Sequence, residues 1–177
     1  QVQNTLHALI EGGAVEDDSA ERLKQFTATK KKAEDGDPEA MCDLGDWYYA
    51  GCNGLHQDYK QAYVWCSRAA ALNSVRGMAD KGILLYTGQG VGKDEVEGGV
   101  LLGVAAGRDN ALACYNLGVE YYDGDSGLPK NHTLAKYWLT KALELNQDDE
   151  KNTGVDLRDI IIEICERKLG ELAESES

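Results

Sequence analysis

LGDWYYAG (residues 44–51), KGILLYTG (81–88) and LGVEYYDG (117–124) are three versions of one octapeptide. Placed in register on Gly45, Gly82 and Gly118, they are separated by 37 and 36 residues. A period of this size marks a repeat protein, in which each unit is one supersecondary element that cannot bury its own apolar face and must stack on its neighbours. Such stacks offer extended binding surfaces, so the pattern points to recognition of other proteins before any single side chain is considered.

Outward from the octapeptides the units repeat in detail. In the first, Ala40, Leu44, Tyr48 and Gly51 recur in steps of four, four and three, which places them on one helical stripe. A loop, GCNGLHQD at 51–58, follows, and Ala62, Trp65, Ala69 and Ala70 mark a second helix. The second unit runs through Gly77, Gly82, Leu85 and Gly88, the loop GQGVGKD, then Gly98, Leu101, Ala105 and Ala106. The third runs through Ala113, Leu117, Gly118, Tyr121 and Gly124, the loop GDSGLPKN, then Ala135, Trp138 and Ala142. Small residues where helices cross and large aromatics beside them predict two antiparallel helices per unit.

This spacing resembles that of the Sel-1-like repeats, a branch of the tetratricopeptide-like α-solenoids, over residues 33–145. The pattern has an alanine, Leu-Gly, a tyrosine, paired loop glycines, an aspartate, then alanine, tryptophan and Ala-Ala. The first unit carries it through Ala40, Leu44, Gly45, Tyr48, Gly51, Gly54, Asp58, Ala62, Trp65, Ala69 and Ala70. The middle unit departs at Lys81, Leu85, Gly98 and Leu101, so a locally looser or differently curved stack is expected there. The resemblance implies an all-α fold, a right-handed α-solenoid of three helix-turn-helix repeats with helical caps. The expected boundaries are N-terminal capping helices forming a degenerate half-repeat at 1–35, then repeats at about 36–72, 73–108 and 109–145. An acidic loop at 146–155 and a capping helix with tail at 156–177 complete the chain.

The flanks carry their own signals. Residues 19–34 read as a helix behind an Asp18/Ser19 cap, and residues 2–11 as a short helix before it. Asn146–Gly154 has no periodicity and reads as loop. Leu157, Ile160, Ile161, Ile164, Cys165, Lys168 and Leu172 recur every three or four residues, the mark of an amphipathic helix that caps the stack's open end, with ELAESES as a frayed tail.

The chain of 177 residues has 31 acidic against 18 basic residues, a formal net charge of −13. That balance repels phosphate backbones and anionic lipid and favours basic protein faces. No apolar run is long enough to span a membrane, so direct insertion is not expected. The chain opens at Gln1 with neither methionine nor a signal-type apolar core, as in a processed product or a fragment. Five cysteines, without a CxxC pair, fit small buried groups in a cytoplasmic or other reducing compartment. They also fall out of register between units, unlike the regularly spaced disulfides of the cysteine-rich secreted branch of the family. Asn131-His132-Thr133 is a chance match to the glycosylation pattern.

Residues with catalytic or metal-binding potential do not assemble. His7, His56 and His132 lie far apart, and no HExxH or paired Cys/His spacing supports zinc. GQGVGKD lacks the spacing of a phosphate loop and has Asp94 where a magnesium-binding Ser or Thr belongs. DGDSG has Leu134 at the twelfth position where a calcium loop needs an acid. No enzyme, metal or cofactor is expected.

In helical-pair solenoids the first helix of each unit lines the concave side. On that basis Glu39, Cys42, Asp46 and Tyr49 in the first unit, Arg76, Ala79, Ile83 and Tyr86 in the second, and Leu112, Tyr115, Val119 and Tyr122 in the third are expected at a groove. Tyr49, Tyr86 and Tyr122 recur one place after the family's tyrosine position and predict a ladder of partner-contacting rings. The expected function is non-enzymatic protein–protein interaction, either as an adaptor that takes a basic or apolar partner segment in the groove, or as an architectural subunit of a larger complex. In the second case the contacts are broad surfaces and the C-terminal helix. The resemblance spans membrane-associated degradation, signalling and host–pathogen assemblies, and so leaves the partner open.

Overall fold

Each octapeptide forms the C-terminal half of one helix together with the glycine that stops it. The computed structural model describes residues 17–124, 128–147 and 157–175, and among the described residues there are eight α-helices and no strand. They are α1 (Asp17–Glu34), α2 (Pro38–Ala50), α3 (Tyr59–Ala71), α4 (Val75–Thr87), α5 (Glu95–Gly107), α6 (Ala111–Asp123), α7 (His132–Gln147) and α8 (Leu157–Ser175). The pairs α2–α3, α4–α5 and α6–α7 are the three helix-turn-helix units, stacked in chain order between α1 and α8.

Local chemistry sets where each helix begins and ends. Side-chain oxygens of Asp37, Asp58, Ser74, Asp94 and Asn110 accept hydrogen bonds from otherwise unsatisfied first-turn N–H groups, and Asn131 does the same for Leu134 N–H at 3.0 Å. Caps of this kind contribute about 1 kcal/mol each. Gly51, Gly88 and Gly124 end α2, α4 and α6 at φ of 69°, 73° and 73°, the left-handed conformation that glycine adopts without a Cβ penalty. A backbone bond then closes each loop in the same way. The N–H groups of Asp58, Asp94 and Asn131 donate to the carbonyls of Tyr48, Leu85 and Tyr121 at 2.8, 2.9 and 2.8 Å.

The register glycines mark the crossing of the two helices in a unit. A Cβ on Gly45 would lie 2.5 Å from Cys66 Sγ, and one on Gly118 would lie 2.7 Å from Leu139 Cδ2. In the middle unit Gly82 faces Gly98, and a Cβ on Gly98 would sit 2.8 Å from both the Gly82 carbonyl and the Tyr86 N–H nitrogen. Gly98 stands where the pattern has alanine, so its absent methyl lets α4 and α5 approach closely at this crossing. The expected looseness is not found there. Lys81, in place of leucine, pairs with Glu97 Oε1 of α5 at 2.7 Å.

Packing divides into two cores. Phe26 and Ala33 of α1 join Ala40, Met41, Cys42 and Leu44 of α2 and Trp65 and Ala69 of α3. At the other end Leu102, Ala105, Cys114, Leu117, Leu139 and Ala142 pack together with Cys165 of α8. Ala62, Cys66 and Leu84 bridge the first and second units.

The flanking helices extend beyond the sequence reading. The first starts at Asp17, α7 continues through Gln147 into the expected loop, and α8 runs to Ser175, so residues 171–175 are helical where fraying was expected. Leu172, only 2% exposed, explains the extension, because its burial holds the last turns in place. The short helix expected at 2–11 and the rest of the loop, 148–154, lie outside the described residues. Among the described residues no helix is long and apolar enough to cross a membrane.

Candidate interaction groove

The first helices of the units, α2, α4 and α6, share a cavity of about 290 Å³ with part of α3. Its wall consists of Gly45, Asp46 and Tyr49 from α2, Ala62 and Cys66 from α3, Asp80, Ile83 and Leu84 from α4, and Leu112, Tyr115 and Asn116 from α6. Helix spacing explains this composition. Side chains three and four apart share a face, so Asp46 and Tyr49 project together, as do Asp80, Ile83 and Leu84. Gly45, which has no side chain, lets Cys66 Sγ pack directly against its backbone, and both line the cavity. The lining is chiefly apolar, with Asp46, Asp80 and Asn116 as its polar elements.

Electrostatics concentrate on one side of the cavity. Arg76 sits among three acids of α2, with Nη1 2.9 Å from Asp43 Oδ1 and 3.5 Å from Glu39 Oε2, while Nη2 binds Asp46 Oδ2. Burial alone would weaken the Arg76 charge, but Asp46 and Asp43 more than restore it and raise its pKa. The acids expected to meet a basic partner near Glu39 and Asp46 are therefore already shared with an internal arginine. Burial also raises the pKa of Asp46, against the pull of Arg76.

Asp80, one helical turn after Arg76, has a different environment. Its Oδ2 is sealed from solvent and has no hydrogen-bond partner. Burial, reinforced by the Asp46 charge, pushes its pKa up to about 8 despite the attraction of Arg76. A carboxyl group in this state is neutral at pH 7, and it lies in a wall otherwise built from apolar side chains.

The residues expected at the groove divide into groups. Asp46, Tyr49, Ile83, Leu112 and Tyr115 line the cavity together. Glu39 and Arg76 belong to the charged cluster beside it. Val119 is half-buried against the C-terminal core. Cys42 is fully buried, with Sγ 3.7 Å from Ser74 Oγ, and burial pushes its thiol up to about 12; it belongs to the first core rather than to the groove surface.

The tyrosine ladder also divides. Tyr49, 39% exposed, packs edge-on against Tyr59 with ring centroids 5.2 Å apart. Tyr86 donates its hydroxyl to Glu120 of the next unit, and Tyr122 donates to Glu171 of α8. Lys168 Nζ lies 3.8 Å from the Tyr122 ring centroid and 3.2 Å from Asp123 Oδ1, which completes the attachment of α8. Two rungs thus join α4 to α6 and α6 to α8, while Tyr49 faces the cavity.

Sequence reasoning missed Asp80 and Asn116. They share a register position with Asp43, one residue after the Cys42–Ala79–Tyr115 row, so a signal was present as a recurring Asp, Asp and Asn. Among the described residues no group of three or more His, Cys, Asp or Glu side chains is arranged to hold a metal ion.

The chain matches the Sel1 repeat profile at residues 38–74, 76–106 and 111–147, more than half of its length. The crystal structure of a Sel1 repeat protein from Oxalobacter formigenes superposes with a TM-score of 0.58 at 29% identity, covering 67% of this chain and 88% of that one. Among curated proteins, the ERAD-associated E3 ubiquitin-protein ligase component HRD3B of Arabidopsis thaliana is 32% identical over 112 residues, 63% of this chain and 17% of that protein. Protein SHC1 of Saccharomyces cerevisiae is 29% identical over 154 residues, 79% of this chain and 29% of that protein. The chain spans less than a third of the length of either curated relative. Sel1 repeats form interaction scaffolds rather than catalytic centres. With three profile matches in register and the same helical-pair stack, this chain belongs to the Sel1 repeat family.

Proposed function

We propose that the chain is a non-enzymatic adaptor whose groove between α2, α4 and α6 takes a short segment of a partner protein. The observation that supports this reading is the apolar cavity of about 290 Å³ shared by the first helices of all three units. It is of the size that seats one or two side chains rather than a whole cofactor. Tyr49, Ile83 and Leu112 supply apolar contact area along its wall. All five cysteines are free, which fits work in a reducing compartment.

A peptide array probed with the purified chain tests the adaptor reading. A discrete bound motif is expected, with affinity lowered about tenfold or more by Tyr49→Ala or Leu112→Ala, as at interface anchors. Tyr86→Ala and Tyr122→Ala are poor probes, because those rings hold neighbouring elements. Binding unaffected by the cavity variants would refute the groove reading.

One observation favours the architectural alternative. The outer face of α5 exposes Val96, Val100 and Val104 at 79%, 61% and 45%, beside Gly99, Gly103 and Gly107 with open space over each. A helix apolar on all sides is usually covered on all sides. The HRD3B relative is, by its name, a component of a larger ligase. A silent peptide array, together with loss of complex assembly in Val100→Glu, would favour that reading.

A further inference from the structure

We infer that the groove recognises its partner through a basic side chain, arginine or lysine, seated in the cavity against the carboxylate of Asp80. This rests on the adaptor reading and specifies the chemistry of the bound segment. One carboxylate in the cavity wall, Asp80, has a buried oxygen without a hydrogen-bond partner. Buried carboxylates are held by hydrogen bonds or ion pairs, because an unpaired one is costly. Asp37, Asp58 and Asp94 cap helices, and Asp43 and Asp46 hold Arg76. Asp80 does neither, and its sealed Oδ2 lacks any hydrogen-bond partner.

The surroundings select a cation on an aliphatic stem. Ile83, Leu84, Leu112 and Tyr115 provide apolar walls for methylene groups, and long basic side chains bury such stems while keeping their charge paired. The internal cation, Arg76, is already shared among three α2 carboxylates, so one positive charge faces Glu39, Asp43, Asp46 and Asp80. The local imbalance is negative, as is the whole chain at −13. A second cation would relieve it, whereas an acidic or phosphorylated segment would be repelled.

Proton linkage makes the idea measurable. The titratable and charged groups around Asp80 are Glu39, Cys42 and Asp46 on α2, Cys66 on α3, Arg76 on its own helix and Tyr115 on α6. The tyrosine and both thiols are shifted upward by burial and stay neutral near pH 7, and Arg76 stays charged. Empty, Asp80 is protonated below about pH 8, so seating a cation requires release of its proton. Affinity for a guanidinium, whose own charge is constant, then rises with pH up to that value and levels off above it.

The probes are N-acetyl-arginine methylamide and, as a neutral counterpart, N-acetyl-norleucine methylamide. Each is titrated into the ¹⁵N-labelled chain while the amide resonances of Gly45, Leu84 and Asn116 are followed. The arginine probe is expected to shift them at least tenfold more tightly than norleucine, tightening on the order of tenfold from about pH 6.5 to about 8.5. Asp80→Asn should abolish the preference. Leu112→Phe, which narrows the cavity without touching the acid, should weaken both probes, with circular dichroism confirming the fold of each variant. Equal binding of the two probes, a preference that survives Asp80→Asn, or affinity falling with pH would each overturn the inference. A peptide array with a reproducible motif but no basic position overturns this anchor and leaves the adaptor reading standing. Arginine-selective probe binding alongside a silent array does the reverse.

Discussion

Replacing Asp80 by asparagine should stabilise the protein at pH 7, and by an amount that depends on pH. In the unfolded chain an aspartate titrates near 3.9; in the fold, burial and the Asp46 charge hold Asp80 protonated up to about pH 8. Between those values the unfolded state carries fewer protons than the folded one, so stability falls as pH rises. Below about pH 4 both states are protonated and the term vanishes; above about pH 8 both are ionised and the penalty is complete. At pH 7 the gap of about three pH units sets a ceiling of about 4 kcal/mol, at 1.36 kcal/mol per unit. Side-chain turning and water entry reduce that ceiling, and the asparagine amide leaves its own unmet hydrogen bonds, worth about 1–3 kcal/mol. The expected gain for Asp80→Asn is therefore about 1–3 kcal/mol at pH 7, and it reverses toward pH 4, where the linkage contribution is gone and only the cost of the amide is left. Urea unfolding followed by tryptophan fluorescence at several pH values between 4 and 8.5 measures it. A variant less stable than the parent at pH 7, or a difference constant across that range, would refute the reasoning.

Neighbouring glycines should respond in opposite directions to the same substitution. Gly98→Ala, whose methyl meets the backbone of Gly82 and Tyr86 at 2.8 Å, should lose about 1–3 kcal/mol in denaturant titrations, whereas Gly99→Ala, with nothing within 4 Å, should gain about 0.5–1. Gly90→Ala combines φ of +74° with a Cβ 2.1 Å from the Tyr59 carbonyl and should be the most damaging loop change, while Gly92→Ala, in open space, should stay within about 0.5 kcal/mol of the parent. In the native state at pH 8, Ellman's reagent should titrate the exposed Cys52 promptly. It should reach Cys42, Cys66, Cys114 and Cys165, buried and with thiols shifted upward by that burial, only on unfolding. Tyr122→Phe removes the hydroxyl bond to Glu171 and should speed amide hydrogen exchange in α8 several-fold while leaving α2–α5 unchanged.

The repeat was legible because its signals are local. Gly51, Gly88 and Gly124 stop helices wherever the chain is placed, and Asp58, Asp94 and Asn131 start them, since capping involves only residues within one turn. The apolar stripes, the two helices per unit and the amphipathic α8 follow from spacing alone. Loss of an expected residue has no such local meaning. Gly98, with Lys81, Leu85 and Leu101, pointed to a looser or differently curved middle unit, yet the effect of Gly98 depends on what lies opposite, which is Gly82 at close approach.

Sequence by itself determined the architecture, the family and the class of function, because a period of 36–37 residues and its caps are written in neighbouring positions. Only the tertiary structure decided where the residues expected on a concave side are placed. It placed Cys42 in a core, set Tyr86 and Tyr122 to joining elements and left Tyr49 at the cavity. It also distinguished two aspartates at equivalent positions, Asp43 paired with Arg76 and Asp80 unpaired beneath an apolar wall. The physical reason is that desolvation and pairing depend on atoms contributed by different units of the stack. These partners, 30 to 37 residues apart for the Arg76 cluster, meet only when the helices pack.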